Sequence, residues 1–190
     1  MRIPVIALKG KGGSGKTTAA RYILGKGYVK TSFATPLRAM LTAIGLSEAE
    51  LSGELKELPS ATLDGATPRA AMQLLGTEWG RALSPELWTG MWRRHARDIL
   101  LQDGFGVVVD DCRFPNEAAV VRSMGGFVIE IIDPNAAESE VGISGHASEA
   151  QDFDPDITVL NDKSSLAALH ASIDEAISVL MSGYALDLAA

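Results

Sequence analysis

Gly10-Lys11-Gly12-Gly13-Ser14-Gly15-Lys16-Thr17 matches the pattern G-x-x-x-x-G-K-[ST]. Such a stretch suits one kind of chemistry. Its glycines allow backbone conformations that turn successive N–H groups inward, and the concavity this makes at a helix N-terminus holds an anion. In that reading residues 10–17, with Thr18 behind them, bind ATP. Lys16 reaches the β- and γ-phosphates and Thr17 holds Mg²⁺. The pattern carries weight only between a strand and a helix. Residues 3–8 are a short apolar run suited to a buried strand, and residues 17–26 read as a helix stopped by Gly27.

A second candidate is acidic. Val107-Val108-Val109-Asp110-Asp111 places a carboxylate at the C-terminal end of an apolar strand, the edge of an α/β sheet where ligands bind. An acid there can hold a water on Mg²⁺, and Asp110 is assigned that role ahead of Asp111. An apolar run ending in Asp is common, because Asp also caps helices, so this assignment leans on the glycine loop.

The elements that must position these groups follow from the hydrophobic pattern. Residues 28–33 read as a second strand and residues 36–43 as a helix with Pro36 in its first turn. Residues 45–84 are mostly helical in composition, broken at Gly53, Pro59-Ser60 and Gly65. Residues 85–101 form a long helix bearing Arg93, Arg94 and Arg97, with Trp88 and Trp92 as packing residues. Strands three to five are expected at 105–110, 127–132 and 157–160. A closing helix over 164–181 aligns Leu166, Leu169, Ile173, Ile177 and Leu180 on a core face and ends at Gly183. Apolar strands separated by helices predict an α/β fold with a parallel sheet covered on both faces.

Composition narrows the function classes. The chain has 190 residues, 46% hydrophobic and 22% charged, which suits one globular domain. No apolar run approaches the roughly 20 residues needed to cross a bilayer, so no membrane partner is expected. Cys112 is the sole cysteine, so no internal disulfide forms, and a cytoplasmic location is expected. The net charge of −7 argues against a nucleic acid polymer as partner. Residues 1–113 nevertheless carry 15 Lys and Arg against 11 Asp and Glu, whereas 114–190 carry 2 against 13. An anionic ligand is therefore expected on the N-terminal part.

Four stretches beyond the glycine loop carry a resemblance. They are Phe33-Ala34-Thr35-Pro36-Leu37-Arg38, Thr67-Pro68-Arg69 running into Gln73-Leu74-Leu75-Gly76-Thr77-Glu78-Trp79-Gly80-Arg81, Asp110-Asp111-Cys112-Arg113-Phe114-Pro115-Asn116-Glu117, and His146-Ala147-Ser148-Glu149. In these the chain resembles the bacteriophage-type deoxynucleoside monophosphate kinases, relatives of adenylate kinase. The resemblance spans almost the whole chain, and its two central stretches are the specific ones.

It implies a P-loop three-layer α/β sandwich with a five-stranded, mainly parallel sheet in the order 2-3-1-4-5. A single kinase domain over 1–190 would include a helical acceptor-binding region at about 36–104 and a lid-like segment at about 133–155. The implied reaction moves the γ-phosphoryl of ATP, with Mg²⁺, to a deoxynucleoside monophosphate. ATP and that acceptor are the implied partners, with a homodimer left open. Arg38, Arg69, Gln73, Glu78, Trp79, Arg81 and Arg113 form the implied acceptor set, with Glu78 on a base edge and Trp79 stacked on the base. Lys16, Asp110, Arg38 and Arg113 form the implied catalytic set. Arginine suits a phosphate dianion because its fork donates two parallel hydrogen bonds. A phosphate acceptor is already anionic, so no general base is required and positioning with charge neutralisation suffices.

The resemblance has one departure: residues 133–155 contain no arginine, where adenylate kinase-like lids commonly carry several. His146, Ser148 and Glu149 are left there to hydrogen-bond or to pack. Two rival families share parts of this pattern. Dephospho-coenzyme A kinase shares the core but lacks the block at 76–81. The partition-type ATPase switches share the lysine-containing loop, with Lys11 reaching across a dimer, but Thr31-Ser32-Phe33-Ala34 stands where they carry acidic residues.

Overall fold

Short runs of β-branched residues build the strands, and their burial on both sides builds the layers. The computed structural model describes residues 3–102, 105–135 and 153–187, the last four by backbone alone. Among these, β1 (Val5–Lys9), β2 (Tyr28–Thr31), β3 (Gly106–Val109), β4 (Phe127–Ile132) and β5 (Ile157–Leu160) form one parallel sheet. The order is β2-β3-β1-β4-β5, as the resemblance implies. Parallel registers such as Ala7↔Val109 and Ala7↔Val128 bring the C-terminal ends of β1, β3 and β4 to one edge.

Strand alternation divides the core. Ile6, Leu8, Val108, Ile129 and Ile131 face α1 (Lys16–Leu24) and the closing helix, which packs Leu169, Ile173, Ala176 and Leu180 against them. Val5, Ala7, Val107, Val109 and Val128 face the opposite layer, where Trp92, Ala96, Ala118 and Val121 pack. Each fully buried Ile or Val contributes about 1.5–3 kcal/mol. Trp88 and Trp92 are both buried, as their spacing predicted.

The helices in chain order are α1, α2 (Thr35–Ala43), α3 (Glu48–Leu51), α4 (Pro68–Gln73), α5 (Leu87–Leu100), α6 (Pro115–Ser123) and α7 (Leu166–Asp187). Leu37 and Leu41 of α2 join Leu46, Leu51, Met72 and Trp88 in a third cluster, so the segment between β2 and β3 has its own small core. A 3₁₀ turn at Glu54–Glu57 and a π-helical stretch at Leu74–Arg81 complete this region.

Several expectations are corrected. The second strand stops at Thr31, because Ser32, Phe33 and Ala34 turn to hydrogen-bond Asp111. Helix α6 had no sequence expectation. Helix α7 continues through Gly183, where open space leaves no steric reason to stop, and its Leu166 is exposed because the buried stripe begins one turn later at Leu169. Residues 136–152, with His146, Ser148 and Glu149 of the expected lid, lie outside the described residues. No described helix is long and apolar enough to cross a membrane.

Candidate active site

The glycine loop leaves the end of β1 and enters α1, the context its chemistry requires. Gly10 has φ 135°, and a Cβ there would collide with the Ile131 carbonyl of β4. Gly15, the N-cap of α1, has φ 106° and lies against the Asn161 side chain, which donates from Nδ2 to the Ser14 carbonyl at 2.8 Å. The loop is thus braced by the neighbouring strand β4 and by the residue following β5. Lys16 Nζ donates to the carbonyls of Gly10 and Lys11, 2.7 Å each, so its ammonium is held at the loop mouth. Lys11, Gly12, Gly13 and Thr17 are exposed.

The two acids after β3 part company. Asp110 follows Val108 on the α1 side of the sheet and pairs with Lys30 at 2.7 Å. Asp111 turns to the other side, where Oδ1 accepts from Phe33 N–H at 3.0 Å. Its Oδ2 accepts from Ala34 N–H at 3.0 Å and from Ser32 Oγ at 2.5 Å. Asp111 therefore pins the entry to α2, while Asp110 is engaged by a cation on the same side as α1. The hydroxyl of Thr17 and the carboxylate of Asp110 are hard oxygen donors of the kind Mg²⁺ takes when water and phosphate complete its shell.

A cleft opens beside these groups. Arg38 from α2, Arg69 from α4, Arg81 from the π-helical stretch and Arg113 from the loop after β3 all line it, with Gln73, Asp111 and Glu117. Arg38 Nε is buried with no hydrogen-bond partner among the described residues, a donor with capacity for an anion. Arg69 is aimed by Glu57, whose Oε1 accepts from Nε at 2.7 Å and from a terminal nitrogen at 2.6 Å. Arg81 lies 3.5 Å over the Phe114 ring and donates to Asn116 and Glu117.

Glu117 ties this wall together. It accepts from the N–H groups of Arg113 (2.7 Å) and Phe114 (3.1 Å) and pairs with Arg81 at 2.6 Å. Burial pushes its carboxyl up to about 7, against the pull of those donors.

Glu78 and Trp79 do not line the cleft, although the resemblance put both in the acceptor set. Within the segment 73–81, residues spaced by four (Gln73, Thr77, Arg81) face the cleft, and the intervening Glu78 and Trp79 are exposed. Trp79 instead lies 6.3 Å from the Trp88 ring, tilted by 44°.

No family model matches the chain. It is 35% identical over 160 residues to the "Putative deoxynucleotide monophosphate kinase" of Acanthamoeba polyphaga mimivirus, with 77% of this chain and 81% of that protein covered. The chain belongs to the deoxynucleotide monophosphate kinase family. Among solved structures, an APS kinase CysC variant from Mycobacterium tuberculosis is similar at TM-score 0.42 and 19% identity, over 95% of this chain and 98% of that one.

Several residues of the kinase site escaped sequence reasoning. Asn161 and Glu57 act through single side-chain contacts with partners fixed only by folding. Glu117 had a readable signal, since Pro115 in a first turn with Glu two residues later is a helix-start pattern. The cleft wall also depends on Gly80. A Cβ there would overlap the Trp88 indole, 2.6 Å from Nε1, which itself donates to the Gly76 carbonyl at 2.7 Å. Gly80→Ala is expected to cost the kinase about 2 kcal/mol through overpacking, read as a lower thermal midpoint. An unchanged midpoint would mean Trp88 is free to move aside.

Proposed function

We propose that this kinase transfers the γ-phosphoryl of ATP to a deoxynucleoside monophosphate, giving ADP and a deoxynucleoside diphosphate. The observation carrying the proposal is the convergence of Arg38, Arg69, Arg81 and Arg113, from three separate segments, on one cleft at the sheet edge bearing the glycine loop. A phosphate monoester dianion is the ligand such forks suit. ATP phosphates occupy residues 10–17, with Thr18 behind. Lys16 meets the β/γ-phosphates, and Arg38, Arg69 and Arg113 hold the acceptor's phosphate. Arg81, flat on Phe114 and held by Asn116 and Glu117, serves with Gln73 the nucleoside side.

An acceptor phosphate oxygen attacks the γ-phosphorus. The bond to the β-bridging oxygen breaks, and its electron pair leaves with ADP. Because the nucleophile is already anionic, the protein's work is alignment of two polyanions and neutralisation of their repulsion. Thr17 and Asp110 are the residues that would hold Mg²⁺, which when bound neutralises charge on the ATP phosphates. Asp110 would exchange its Lys30 partner for that coordination.

The test is ADP formation from Mg-ATP against dAMP, dGMP, dCMP, dTMP and the ribonucleotides. Turnover that appears only with particular deoxynucleotides supports the proposal and names the acceptors. Turnover independent of any acceptor, or with dephospho-coenzyme A alone, overturns it. Arg69→Ala should raise the acceptor KM about 10–100-fold while the ATP KM stays within twofold, since only one phosphate loses its fork. Equal losses for both nucleotides would remove Arg69 from the acceptor site.

A further inference from the structure

The 3₁₀ turn at Glu54–Glu57 sends Lys56 to the acceptor cleft and Glu57 to Arg69, which lines it. Glu57 spends Oε1 on Arg69, as described above. Lys56 is half-buried, lines the same cleft and makes no ion pair among the described residues. Its electrostatic neighbours are Arg69 of α4, Arg38 of α2 and Arg113 of the loop after β3, with Glu57 acting in the opposite sense. Asp111, Glu117 and Arg81 line the cleft as well. Asp111 is committed to Ser32, Phe33 and Ala34, and Glu117 to Arg81 and two backbone N–H groups. On the packed helix α3, Glu50 is taken by Ser47 and Ser60. Lys56 and Arg38 thus share a partly desolvated cleft whose two lining carboxylates, among the described residues, are both already engaged. Such an arrangement is unfavourable until an anion enters.

We propose that Lys56 is a fourth cationic ligand of the acceptor's phosphate, beside Arg38, Arg69 and Arg113, and that it sets the upper pH limit of acceptor binding. The proposal rests on the transfer reaction given above and assigns it a residue that no motif marked. Burial, with Arg69, Arg38 and Arg113 adding to it, lowers the Lys56 ammonium from 10.5 to about 8. In the empty site Lys56 therefore loses its proton as pH rises through about 8. A bound dianion restores the charged form, so above that pH the acceptor binds together with a proton. An arginine at 56 stays charged throughout.

The experiment compares wild type, Lys56→Ala and Lys56→Arg. Lys56→Ala should raise the acceptor KM about 10–100-fold and leave the ATP KM within twofold. It should melt no lower than wild type, because it removes a poorly solvated ammonium. Lys56→Arg should recover most of the affinity. In wild type the acceptor KM should climb above pH 8, towards about tenfold per unit for one coupled proton. Lys56→Arg should stay flat from pH 7.5 to 9.5, where the acceptor phosphate is already a dianion. Glu117, at about 7, titrates largely below that window. Calorimetry of the deoxynucleotide at pH 8.5, in two buffers of different ionisation enthalpy, should show proton uptake in wild type and none in Lys56→Arg. An unchanged acceptor KM in Lys56→Ala, or buffer-independent heats in wild type, overturns the assignment of Lys56 while acceptor-dependent turnover preserves the reaction. Wild type without acceptor-dependent ADP formation takes down both.

Discussion

Lys16→Ala is expected to lower phosphoryl transfer by about 10³-fold while the protein keeps its fold. Lys16 opens α1 and is half-exposed, and its ammonium donates to the Gly10 and Lys11 carbonyls rather than to the core. Those two hydrogen bonds hold the charge at the loop mouth before any phosphate arrives. In the proposed reaction, entering phosphate oxygens would replace these carbonyls as acceptors, and the charge would meet negative charge developing on the transferring group. Removing it withdraws stabilisation made mainly in the transition state, so kcat should fall more than KM for ATP rises. Steady-state kinetics with a thermal melt reads both halves. Turnover near the wild-type rate would mean that the glycine loop does not carry the reaction.

Asp111→Ala is the second large effect, and it is one of stability first. The Asp111 carboxylate accepts from Ser32 Oγ and from the N–H groups of Phe33 and Ala34. Its loss leaves the partly buried Phe33 N–H without that acceptor, at about 1–3 kcal/mol before relaxation or water entry, and Ala34 N–H with only Ser32 Oγ. A total near 3 kcal/mol would lower the thermal midpoint by about 6–12 °C in a chain of this length. The same anchor sets where α2 begins, and Arg38 projects from the first turn of α2 into the cleft. Acceptor kcat/KM should therefore fall about 100-fold, because an arginine displaced by about an ångström no longer aligns its fork. Asp111→Asn, which keeps one oxygen acceptor, should recover part of both losses. Asp110→Ala is the control. Its partner Lys30 is exposed, so water screens that pair in part and the midpoint should fall by less than in Asp111→Ala. If Asp110→Ala melts early and Asp111→Ala does not, the roles given to the two acids are reversed.

Both predictions turn on how near in sequence a residue lies to its partner. The loop at residues 10–17 was legible because its chemistry is local. Consecutive N–H groups, three positive-φ glycines and a lysine opening the next helix all act within eight residues. The strands were legible for a related reason. A strand buried on both faces must be apolar at every position, and Val107-Val108-Val109 has no other economical placement. Boundaries were less secure where a side chain competed with the ladder, as Asp111 does with Ser32 and Phe33 at the end of β2. The closing helix passed Gly183 because a glycine alone stops nothing unless its carbonyls have another partner.

The arginine-lined cleft lies between these extremes. Arg38, Arg69, Arg81 and Arg113 were nameable from their motifs, and folding brings all four to one cleft. Glu78 and Trp79 stand in the same block yet turn away, because a π-helical path from 74 to 81 chooses which side chains face inward, and no composition pattern announces that path. Lys56, Glu57 and Asn161 carried no sequence signal at all. Their importance depends on partners 12 or more residues away, Arg69 for Glu57 and Ser14 for Asn161. By itself, then, the sequence determined the phosphate loop, the parallel α/β layering and the arginines suited to a monophosphate. Each of these is a matter of residue type within one element. The tertiary structure alone decided which acid anchors α2 and which pairs with Lys30, which side chains of the π-helical block line the cleft, and that a lysine from a minor turn joins the arginines there. Those outcomes depend on distances between elements, and only the packed sheet and helices set them.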